Sequence, residues 1–138
     1  MRDIRQYFDL ITGLAESSGA ESVELDFDPV DQASGDVDGV FYFYDGSRLE
    51  FTETVAIEKQ SPKKLSYRYQ FIHQEKTRFR YDNADHHPKL PNHPHHKHVG
   101  AKIVTAIEPM LSQVLDEVRD ILDQTKNQLP AKPKRRRR

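Results

Sequence analysis

At 138 residues, with 22 acidic and 21 basic side chains and no cysteine, the chain is sized for one domain and holds neither disulfides nor thiolate metal ligands. Its apolar runs fall short of the roughly 18 residues that span a bilayer and its N-terminus lacks a signal-peptide core, so a soluble, cytoplasmic protein is expected. The balanced total conceals segregation: residues 1–60 carry 14 acids against 4 bases, residues 61–106 carry 3 against 9, and residues 131–138 carry 6 bases and no acid, so only the last two segments suit a polyanion.

In chain order, Ile4, Tyr7, Phe8, Ile11, Leu14 and Ala15 recur at helical spacing and predict an amphipathic helix that stops near Gly19. Val23, Leu25 and Phe27 alternate with acids, as a half-buried strand does, and Pro29 is expected to end it. Residues 30–38, acidic and rich in small residues, read as a loop. Asp45-Gly46 between two extended runs predicts a two-residue hairpin turn. That register sets Tyr42 against Leu49 and Val40 against Phe51, and sends Phe41 and Phe43 to the other face as a second small core.

A second hairpin follows. Leu65, Tyr67, Tyr69 and Phe71 form one apolar row and Phe79 and Tyr81 the other, and matching them requires a loop of three or five residues. The same register places Arg68 across from Asp82 and Gln70 across from Arg80 on the polar face. Residues 83–100 hold three prolines and read as an irregular excursion, a length that ordered loops reach chiefly for function. A short strand over residues 102–107 precedes a helix opened by Glu108-Pro109, with Met110, Leu111, Val114, Leu115, Val118, Ile121 and Leu122 as its apolar stripe. The expected fold is α+β: an antiparallel sheet of five to six strands packed by N-terminal and C-terminal helices. One domain is expected over residues 1–130, with residues 131–138 as a disordered basic tail.

Six of the seven histidines fall within residues 79–99, FRYDNADHHPKLPNHPHHKHV. Histidine is the side chain that exchanges protons near neutrality, so this crowding points to chemistry. Here, and in DGSRLEF at residues 45–51 and YRYQF at residues 67–71, the chain resembles the TumE family of toxins along its whole length. The resemblance implies a small α+β prokaryotic toxin of a type II toxin-antitoxin pair, held in check by a helix-turn-helix antitoxin. The residues that match are Arg80, Asp82, Asn83, His86, His87, Pro88, Pro94, His95, His96, Lys97 and His98. Asp85 replaces the family's usual proline, and His93 its usual aromatic residue.

Metal-free RNA cleavage needs a base, an acid and cations on the phosphorane. His86 or His87 is the candidate for one proton-transfer role and His95, His96 or His98 for the other. Arg80 and Lys97 would hold the phosphate, and Asp82 would orient an imidazole or Arg80. Arg68, Arg78, Asn83 and Lys89 are the further candidates for nucleic-acid contact, and Tyr67, Tyr69, Phe79 and Tyr81 are either stacking platforms or core. No cofactor is required in this scheme. The alternatives are a metal-dependent nuclease with a divalent ion on the histidine cluster, or a non-enzymatic module that binds nucleic acid or protein. RNA and the antitoxin are the expected partners, with a homodimer left open.

Overall fold

The computed structural model describes residues 1–84 and 93–128. Helix α1 (Ile4–Glu16) leads into strands β1 (Ser22–Asp31), β2 (Ser34–Tyr42), β3 (Arg48–Glu58), β4 (Ser61–His73), β5 (Lys76–Asp82), β6 (His96–Val99) and β7 (Lys102–Thr105), and helix α2 (Leu111–Gln128) follows. The strands pair in chain order into one antiparallel sheet. Among the described residues the sheet therefore has seven strands where five to six were expected. The additional one is β6, inside the histidine segment that its prolines had marked as irregular.

Asp3 caps α1 and exchanges a capping box with Gln6, which fixes the helix start. The helix buries Ile4, Tyr7, Phe8 and Ile11, and Phe8 stacks on Phe27 of β1 with ring centroids 4.6 Å apart. From α2, Leu111, Val114, Leu115 and Val118 enter the same core. Met110, assigned to that stripe from its spacing, is exposed, because the helix begins one residue later. Both helices cover one face of the sheet. Val37, Phe41, Leu49, Phe51, Tyr69, Phe71 and Phe79 project toward them, as strand alternation requires.

Several expectations are corrected by turn chemistry. Pro29 does not end β1, because β1 is the sheet's edge strand and proline is tolerated there. The supposed loop over residues 30–38 is mostly hairpin: an extra residue, Val30, shifts the register, and β2 starts at Ser34. At Asp45-Gly46 the observed pairs are Tyr42 with Arg48 and Phe41 with Leu49, one residue off the predicted register. Phe43 accepts a hydrogen bond from Gly46 N–H and donates to Ser47, and Gly46 takes a φ of 87°, so the loop is a type I turn closed by a glycine bulge rather than a two-residue turn. Phe41 and Phe43 thereby join the main core, and among the described residues no second core forms around them.

In the β4–β5 hairpin the predicted pairs stand: Phe71 with Phe79, Gln70 with Arg80, and Arg68 with Asp82. Their odd parity arises differently. The turn is two residues, Gln74 and Glu75, both at positive φ, and Arg78 is an extra residue in β5. A matching extra residue in β4, Leu65, drops out of the apolar row and is exposed. Strand β7 stops at Thr105, two residues before the expected end.

Gly39 is required by packing: a Cβ there would lie 2.4 Å from the buried Phe51 ring and 2.9 Å from Leu25. Phe51 is held between Phe41 and Tyr69 and has little room to yield. Gly39→Ala is expected to lower the unfolding free energy by about 1–3 kcal/mol, seen as a lower urea midpoint at unchanged m-value.

Candidate functional site

Strand β6 pairs antiparallel with β5, setting Asp82 opposite His96, Tyr81 opposite Lys97 and Arg80 opposite His98. Alternate side chains leave a strand on opposite faces. Arg80, Asp82, His96 and His98 therefore share the face away from the helices, together with Arg68 and Thr52 in the neighbouring strands. Lys97, Tyr81 and Tyr67 lie on the helix face.

Asp82 is the hub of the open-face cluster. Its carboxylate accepts from Arg80 Nε at 3.0 Å and from the Ala84 backbone N–H at 3.1 Å, and it lies 2.7 Å from His96 Nε2. Asp82 is only 5% exposed and His96 2%, and a buried carboxylate requires such partners. His96 Nδ1 lies 2.9 Å from the Pro94 carbonyl oxygen, so the ring is held between that carbonyl and the Asp82 carboxylate. Arg80 Nη2 donates to His98 Nε2 at 2.9 Å, which makes that nitrogen an acceptor.

The ligand atoms of Asp82, His96 and His98 lie within 4.8 Å of one another, a donor set suited to a borderline divalent ion. The Arg80 guanidinium, however, bonds two of these three side chains, so an ion would have to displace a fixed positive charge. Beside the cluster opens a cleft of about 400 Å³, lined by Thr52, Ser66, Arg68, Arg80, Asp82 and Asn83 among others.

The remaining sequence candidates are placed elsewhere. Lys97 pairs with Glu117 of α2 at 2.7 Å and lies 4.8 Å from the centre of the Tyr81 ring. Burial works against its charge, but the hydrogen bonds of Glu117 and Tyr81 outweigh that and raise its pKa. His95 stacks on Tyr67, and its Nδ1 lies 2.9 Å from the Tyr67 hydroxyl. The Tyr67 pKa is raised, first by burial and then by nearby carboxylates. Asn83 accepts from the Tyr67 N–H and donates to the Leu65 carbonyl, which extends the β4–β5 ladder through its amide. Arg78 lies at the turn end of that hairpin, 3.1 Å from the ring of His73. Tyr69 and Phe79 are core. His86, His87 and Lys89, together with Asp85 and the basic tail, lie outside the described residues.

Sequence reasoning did not single out Thr52, Ser66 or Glu117. The parity that relates Arg68 to Thr52 was available from the β3–β4 pairing. The reach of Glu117 to Lys97 depends on where α2 docks, which no local pattern encodes.

A family model described as Toxin TumE matches residues 10–129. No curated protein and no solved structure matches the chain. No described helix is long and apolar enough to cross a membrane.

The hub role of Asp82 separates it from the histidine at the cluster's edge. Asp82→Ala, which strands a buried histidine, is expected to cost about 3–5 kcal/mol of stability. His98→Gln, more exposed, should cost less than about 1 kcal/mol. Urea unfolding of the two variants measures both.

Proposed function

Since the chain belongs to the TumE family of toxins, we propose that it arrests growth by cleaving RNA on the open sheet face, without a metal ion. The convergence of Arg68 and Arg80 on one cleft, with an acceptor imidazole nitrogen beside them, carries this proposal. Guanidiniums are suited to phosphate because their planar donors match its oxygens. When Arg80 Nη2 turns from His98 Nε2 to the phosphate, the hydrogen bond between them breaks and the released Nε2 lone pair takes the 2′-hydroxyl proton, with His98 as the base. Arg80 then stabilises the charge that develops on the phosphorane. A second proton-transfer group, for which the sequence offers His86 and His87, would protonate the leaving 5′ oxygen.

Asp82 and His96 are almost fully buried and act as positioning residues, Asp82 holding the Arg80 guanidinium at one angle. Lys97 and His95 serve architecture on the helix face in this scheme. The antitoxin that a toxin family implies would act by covering the cleft or closing off its approach. The proximity of the Asp82, His96 and His98 donors supports a second reading, a metal-dependent nuclease. The two readings differ in their response to chelator.

Purified chain is expected to cut RNA and leave 2′,3′-cyclic phosphate ends, with activity unchanged in EDTA. His98→Gln and Arg80→Ala should each lower the rate by about 10²–10⁴-fold. Loss of cleavage in EDTA with recovery on adding zinc would transfer the site to the metal reading, and intact RNA throughout would refute both. Lys97→Met should keep full toxicity in a growth assay while lowering stability by about 1 kcal/mol or less through loss of its ion pair.

A further inference from the structure

One transverse row of the open face crosses the sheet through Asp26, Asp38, Thr52, Arg68, Asp82 and His96, each paired with the next. Asp26, Asp38 and Arg68 are exposed. With strands about 4.8 Å apart, the backbone of Asp38 lies about 10 Å and that of Asp26 about 14 Å from Arg68. Glu24 and Asp28 flank Asp26 on the same face of β1 and are exposed too. In the other direction the face ends at β7, whose open-face positions are Ile103 beside His98 and Thr105 beside His96. Among the described residues, the cleft between Arg68 and Arg80 is thus bordered by acids on one side and by an open-face edge without basic residues on the other.

We infer that the site takes RNA as a single strand and that Asp26 and Asp38 reject the duplex. This rests on the ribonuclease function proposed above and names the form of its substrate. A duplex carries two phosphate backbones where a single strand carries one. With one backbone bonded to Arg68 and Arg80, the second falls either over β1 and β2 or past β7, where the described open-face residues offer no cation. Over β1 and β2 its phosphates stand directly above the acids, within the screening length of about 8 Å, and are repelled. The strand seated at Arg68 stays beyond that length from both aspartates.

The proposed chemistry points the same way. Attack by the 2′-hydroxyl requires it to stand in line with the phosphorus and the leaving 5′ oxygen. A base-paired A-form strand holds that hydroxyl to the side, in the minor groove, so the sugar has to turn before it can react. An unpaired nucleotide turns without giving up pairing or stacking. The cleft, at about 400 Å³, is of the size that holds one small molecule and has room for one nucleotide at a time. Asp26 and Asp38 stand directly opposite each other, which costs the sheet stability, so their role lies outside the fold.

Binding is measured on the full chain carrying His98→Gln, so that the probe is not consumed, by the anisotropy of a labelled RNA of mixed sequence, alone or annealed to its complement, at physiological ionic strength. The single strand should bind at least about tenfold tighter than the duplex. Adding Asp26→Asn and Asp38→Asn should bring the duplex to within about threefold of the single strand. The same two substitutions in the wild-type chain should leave the rate of single-strand cleavage unchanged. Asp9→Asn with Glu16→Gln removes equal charge from exposed positions of α1, on the other side of the sheet, and should leave the binding ratio as it was. A urea midpoint at or above wild type shows that the aspartate variant is folded. Equal affinity for the two RNAs, or an aspartate variant that still rejects the duplex, overturns the inference while the ribonuclease proposal stands. Failure of either RNA to bind, or binding that Arg68→Ala and Arg80→Ala leave unchanged, overturns both.

Discussion

The pairing of Asp82 with His96 across β5 and β6 decides what every other group at the site can do. Once these two face each other, pleating assigns Arg80 and His98 to the same side and Lys97 to the other. A buried carboxylate is tolerated only when its lone pairs are filled, and here a guanidinium, a backbone amide and an imidazole surround it. Residues 95–98 of the histidine-rich run therefore fall into two populations. One belongs to the open face and its cleft, and the other ties the strand end to Tyr67 and to α2 through Lys97 and Glu117.

The helix face has a buried polar device of its own. Glu53 is almost fully buried and accepts hydrogen bonds from the hydroxyls of Tyr7 on α1 and Tyr69 on β4. Lys64 donates to the Tyr69 hydroxyl and to the Pro109 carbonyl just ahead of α2. One connected network thus joins both helices to the middle of the sheet, where apolar packing alone would allow them to slide. Burial lowers the Lys64 pKa, with the opposing pull of Glu53 and Glu108 insufficient to reverse it. The hydroxyls of Tyr7 and Tyr69 are held in their neutral, donating form, first by burial and then by the Glu53 charge. Such networks favour one arrangement of elements because a partly satisfied alternative leaves a buried charge exposed to no partner.

Much of this was legible in the sequence, and the failures have common causes. The β4–β5 pairs could be read because large aromatic residues alternate with polar ones so regularly that only one parity buries them all. What could not be read was how that parity is produced, since an extra residue in a strand leaves no mark that distinguishes it from a longer loop. The same ambiguity misplaced the Asp45-Gly46 register, where glycine serves a bulge instead of the second turn position. Strand β6 was missed because proline and histidine density outweighed a four-residue alternation, although His96-Lys97-His98-Val99 carries the period of two that its neighbours carry. The separation of His95 from His96 then follows from the strand assignment alone. The contact of Lys97 with Glu117 does not, since it joins residues 20 positions apart through helix docking.

The distribution of charge over the open face connects fold to function. On β1 and β2, Asp26 stands directly opposite Asp38 and Asp28 opposite Asp36, arrangements that cost stability in a sheet. On β4, β5 and β6 the same face carries Arg68, Arg80, His96 and His98. A polyanion approaching this surface meets repulsion over the first strands and attraction over the later ones, so its orientation is set before contact, at distances shorter than a Debye length of about 8 Å in physiological salt. The opposed aspartates contribute nothing to the core. Their cost is consistent with a surface shaped by what it must turn away; under the proposed ribonuclease function, the acidic strands would confine a phosphate backbone to the cleft between Arg68 and Arg80.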